Sequence, residues 1–92
     1  MTSELELQLQ RTVDRLRSMS AAQISRESRD EATRSLVGQL AAFSRPGTTV
    51  PVVAPTALGD QLAVIGREFI NSTTPDQHEW AIEQLKALRQ SL

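Results

Sequence analysis

Four times along the chain a Ser or Thr stands three residues before a Glu or Gln: Ser3–Glu6, Ser20–Gln23, Ser28–Glu31 and Thr74–Gln77. In this spacing the hydroxyl accepts the amide of the third helical residue, and the Glu or Gln reaches back to the capping amide. Each such pair therefore marks a helix start. The residues after three of them recur every three or four positions in apolar character, the period of one helix face. A chain punctuated this way has little freedom to be anything but helical.

The first stripe, Leu5, Leu9, Val13, Leu16 and Met19 with Thr12 beside it, predicts a helix over residues 4–19 and leaves Leu7 outward. A short helix over 21–27 carries Ile24 as its only large apolar side chain. Ala32, Leu36, Leu40 and Phe43, broadened by Val37, predict a helix over 29–44, stopped by Arg45-Pro46-Gly47. Thr56 is expected to cap a helix over 57–71. Its two stripes, Leu58-Leu62-Ile65-Phe69 and Gly59-Ala63-Gly66-Ile70, make the widest apolar face in the chain, so this helix should be central. Glycine inside a helix costs about 1 kcal/mol against alanine. Gly59 and Gly66 thus imply close approach of another helix backbone. Thr74-Pro75 opens the last helix, over 75–90, with Ala81, Ile82, Leu85, Leu88 and Leu92 inward.

Residues 45–56, RPGTTVPVVAPT, are the only long non-helical stretch. Their prolines hold the chain extended, and Val50, Val52 and Val53 should pin it across the bundle. The fold class is all-α: one domain over 1–92, a bundle of four main helices plus one short helix, with an extended Pro-rich connection.

Composition narrows the function by exclusion. The chain has 92 residues, of which 39% are hydrophobic and 23% charged, with a net charge of −1. Cysteine is absent and histidine occurs once, so thiol nucleophiles and Cys- or His-built metal sites are excluded. No metal and no cofactor are expected. The start, Met1-Thr2-Ser3-Glu4-Leu5-Glu6, lacks the basic and apolar regions of a secretory signal, and charges interrupt the most apolar stretch, residues 50–70. The expected location is cytoplasmic, with no membrane partner. Asn71-Ser72-Thr73 fits a glycosylation sequon by chance.

Few residues offer chemistry. His78 is the sole imidazole and lies within the apolar arc of the last helix. No nucleophile elbow supplies it with a serine, so a packing role outweighs a base, and no enzyme is expected. Asp76, Glu79 and Glu83 form a solvated acidic face. Arg11 and Arg15 lie one turn apart on the first helix, and Arg26, Arg29 and Arg34 flank the short helix and the third, whose order of short helix, turn and longer helix is similar to a helix-turn-helix. They carry the alternative reading, a nucleic-acid-binding regulator, against which stand the interleaved Asp14, Glu27, Asp30 and Glu31. Trp80 projects away from the inward stripe, close to Ala87 and Ser91, where it is expected either to cover the rim of the core or pack under the Pro-rich segment, or to anchor a partner. Tryptophan is enriched at interface hot spots, so Trp80 and Ala87 are the candidate partner-binding residues, bordered by the Pro-rich segment. The leading expectation is a non-enzymatic helical module that binds a protein partner or another copy of itself.

The segment VPVVAPTALGDQLAVIGREFI, Val50 to Ile70, resembles small actinobacterial helical proteins in which a VP-containing segment precedes a helix with a GDQLAV-type core. The arginine bias, with Lys86 the only lysine, fits such a source. The resemblance spans about a quarter of the chain and implies no activity, cofactor or site residue.

Overall fold

The computed structural model describes residues 3–92; Met1 and Thr2 of the expected domain lie outside the described residues. It is an all-α bundle without a strand among those residues. The helices are α1 (Glu4–Arg17), α2 (Ala21–Ser25), α3 (Arg29–Ser44), α4 (Leu58–Ser72) and α5 (Pro75–Ser91).

Three of the expected caps form. The Ser3 hydroxyl accepts from the Glu6 amide, and Ser20–Gln23 and Thr74–Gln77 are complete reciprocal boxes. Ser28 does not cap. A capping residue needs extended backbone to aim its oxygen at the third amide, whereas Ser28 has a left-handed φ of 60°. Glu27 is left-handed too, at 56°, so the helix expected over 21–27 stops at Ser25 and a single 3₁₀ turn, Arg26–Ser28, swings the chain into α3. Arg29 clamps that corner by donating to the carbonyls of Gln23 and Ser91. Thr56 also fails as a cap. Pro55–Ala57 already forms a 3₁₀ turn, closed by the Ala57 amide on the Ala54 carbonyl, so Thr56 lies inside the first turn and not ahead of it.

The connection between α3 and α4 sets the topology. Arg45 at the end of α3 pairs with Glu68 near the end of α4, and α2, which leads into α3, packs on the turn that leads into α4. The two helices therefore run in the same direction, and residues 45–54 must carry the chain back along the whole of α3. This strap is fastened twice. Arg34 donates to the Val53 carbonyl at 2.7 Å, and Gln61 donates to the Pro51 carbonyl at 2.8 Å. Val50 and Val53 pack against the core, as expected of a pinned segment, while Val52 points outward.

α1 runs antiparallel to α4. Gly59 faces Val13, Leu16 and Arg17, and Gly66 faces Leu9. At Gly59 the neighbours include the Val13 carbonyl oxygen, the backbone approach that the glycine implied. At Gly66 the close neighbour is instead the Leu9 side chain. α5 lies against the opposite flank of α1, where Arg15 donates to the Leu92 main-chain oxygen. One core of Leu9, Val13, Leu16, Leu40, Leu62, Phe69, Leu85 and their neighbours runs through all the helices.

On α3 the buried stripe is Thr33, Leu36, Val37, Leu40 and Ala41. Ala32 and Phe43, expected inward, are exposed. α3 presses on α4 much more extensively than on α5, so its inward side rotates toward Thr33, Val37 and Ala41.

Candidate functional site

The strap and α4 enclose an apolar groove of about 460 Å³. Ile65 and Val64 of α4 form one wall, Val50 and Pro51 of the strap form the other, and Ala41 of α3 lies at the base. The volume lies within the range of ligand- and side-chain-accepting pockets. Val64 is 61% exposed and Val52, on the outer side of the strap, is 88% exposed. Both are β-branched apolar side chains left in water.

Charged pairs bound the groove at both ends. Arg17 of α1 holds Asp60 at 2.8 Å, and Arg45 holds Glu68 at 3.0 Å. Each end carries one acid and one base, so the groove has an apolar middle and neutral, polar ends. Such exposed pairs contribute little stability, about 0–1 kcal/mol each. Their role is to give the rim its charge pattern.

The groove was not among the candidate residues read from sequence. Its signal was nonetheless present. Val64 is the one large apolar residue of α4 outside both of that helix's apolar stripes, and it stands opposite the buried Leu62 and Phe69.

Trp80 and Ala87 lie two turns apart on the same flank of α5, both beside α3. The Trp80 ring is half-buried, 5.2 Å from Phe43 and 6.4 Å from Phe69. Its partner at the rim is Phe43 of α3, not the Pro-rich segment expected there, because that segment lies along α3 and α4 while α5 packs on α1 and on the other side of α3. Ala87, two turns further on, is exposed and lines a shallow cleft between α3 and α5 with Ala32, Leu36 and Gln84.

The arginine group is mostly committed to the fold. Arg15, Arg29 and Arg34 each donate to main-chain carbonyls of distant segments: Leu92, Ser91 and Val53. A guanidinium offers five donors in a fixed fork, which suits it to tying irregular backbone down. Arg11 and Arg26 remain exposed, without an ion pair among the described residues. Two separate cations, with Asp30 and Glu31 at the start of α3, make a poor electrostatic footprint for phosphate.

His78 is half-buried. Its ring centroid lies 6.0 Å from that of Phe69, and its Nε2 is enclosed without a hydrogen-bond partner. No hydroxyl donates to it among the described residues, so the geometry is that of a packed ring. Asp76, Glu79 and Glu83 belong to no group of three metal-ligating side chains among the described residues. Among the described residues no helix is long and apolar enough to cross a membrane.

Comparison with protein-family models, with curated proteins and with solved structures finds no match to this chain.

Proposed function

We propose that the protein is a small non-enzymatic interaction module of the cytoplasm that works by docking another protein surface on the strap and α4. The observation that carries this reading is the apolar groove between Val50 and Val64, rimmed by charge and left open beside two exposed valines. Burying apolar surface is the dominant favourable term in association, at about 25 cal/mol per Å², and the polar ends give the contact its orientation. The strap fastenings at Arg34 and Gln61 hold the groove wall in place before a partner arrives, which lowers the ordering cost of binding.

The test uses the full chain as bait in an extract of its native host, with and without nuclease, beside Val64→Glu. Val64 is exposed, so this variant keeps the fold. The reading expects a defined protein, an untagged copy of this chain included, to be retained by the wild type after nuclease and lost with Val64→Glu. Retention that nuclease abolishes and Val64→Glu leaves intact would overturn it in favour of nucleic acid.

A further inference from the structure

The outer face of α4 has the same pattern from either end. Residues seven apart on a helix lie about two turns apart on nearly the same flank. Asp60 and Arg67 share one flank of this face, Gln61 and Glu68 share the other, and Val64 stands midway. With about 1.5 Å of rise per residue, Asp60 lies about 6 Å before Val64 and Arg67 about 4.5 Å after it. Glu68 and Gln61 have the same offsets in the reverse order.

We infer that the docked surface is a second copy of this chain, with the two α4 helices packed antiparallel about a two-fold axis beside Val64. This rests on the proposed interaction role of the α4–strap face. A two-fold axis perpendicular to α4 reverses direction along the helix and keeps each flank on its own side. Arg67 of the second copy then faces Asp60, and its Glu68 faces Gln61; symmetry repeats both pairs. The valines meet at the centre. The interface is isologous, the commonest form of association between identical chains.

The free atoms of this face match the pairing. Both Arg17 contacts to Asp60 fall on Oδ1, which leaves Oδ2 for a second cation. The Asp60 side chain is 71% exposed. Arg67 is exposed and has no ion pair or hydrogen bond among the described residues. Glu68 uses Oε1 for Arg45 and keeps Oε2. Gln61 gives one amide hydrogen to Pro51 and retains the other. A different protein would need an independent surface with this alternation, whereas a second copy carries it by symmetry. The groove ends, being neutral pairs, set up no field that would select a strongly charged partner instead.

The experiment is sedimentation of the full chain across a concentration series, with thermal melts of every variant. The wild type should pass from 10.1 kDa toward twice that mass. Asp60→Arg and Arg67→Asp should each weaken self-association roughly tenfold or more, because each sets like charges against one another. Mixing the two variants should restore association, since one copy then presents two bases along this flank and the other presents two acids. Arg67→Asp breaks no internal contact, so its result does not depend on fold integrity. A wild type that stays monomeric overturns the second-copy inference, as does a dimer indifferent to both charge variants. If a monomeric wild type still captures a different protein through Val64, the broader interaction reading survives; if Val64→Glu changes neither, both fail.

Discussion

The isobutyl group of Leu9 occupies the space that a β-carbon on Gly66 would need: Cδ1 stands 2.6 Å and Cδ2 2.7 Å from that position. α1 and α4 are thus held together by the absence of a side chain, and the helix tolerates a poor helix former to allow it.

Gly66→Leu is therefore expected to lower stability by about 1–3 kcal/mol through overpacking, despite a gain of about 1 kcal/mol in helix propensity. Chemical denaturation of the variant checks this. A higher midpoint than wild type would show that propensity wins and that the α1–α4 contact is loose.

Trp80 reports on the rim of the core. Its ring lies between Phe43 and Phe69 and is half-buried, so its fluorescence should be partly quenched by iodide. Trp80→Ala should cost about 2 kcal/mol, below the 3–5 kcal/mol of a fully buried aromatic. Association should be unaffected, because the ring lies away from the groove. Loss of association in a variant that melts normally would return Trp80 to the interface.

The strap depends on Arg34. Removing its bond to the Val53 carbonyl in Arg34→Met should cost about 1.5–3 kcal/mol, the usual range for a hydrogen bond to a charged group. It should also speed proteolysis within residues 48–54. Unchanged cleavage in the variant would mean that Gln61 and the valines hold the strap without it.

Ser28 sits at a φ of 60°, where a β-carbon is crowded and glycine is not. Ser28→Gly is expected to raise stability by up to about 1 kcal/mol, which for a domain of this size raises the melting temperature by roughly 4–8 °C. The gain is capped by the extra freedom glycine brings to the unfolded chain. A drop in melting temperature would show that the turn relies on the Ser28 side chain.

Local chemistry made the helices legible. Ser20, Thr74 and the leucine stripes each act within one or two turns, so sequence spacing reports them directly. The two misread caps show where local reading stops. At Ser28 the backbone is set by Arg29 reaching Gln23 and Ser91, and at Thr56 by a turn that Pro55 begins. Phe43 turns outward for a similar reason: a helix with apolar residues on more than one side is rotated by whichever neighbour presses hardest, here α4. The groove was the least legible feature. Its walls are separated in sequence, and they meet only because the strap doubles back over α3 to reach α4. The reversible pattern around Val64 was readable, but it gains meaning only once that face is known to be open.

The return of the strap has a consequence for how the molecule assembles. The large interfaces are α1 with α4, α1 with α5 and α3 with α4. Each joins the half of the chain before the strap to the half after it. Neither half has a core of its own, so the first three helices have nothing extensive to pack on until the last two are in place. The protein should therefore form in one cooperative step, its amide protons becoming protected together, and a chain severed within the strap should fold only when both pieces are present.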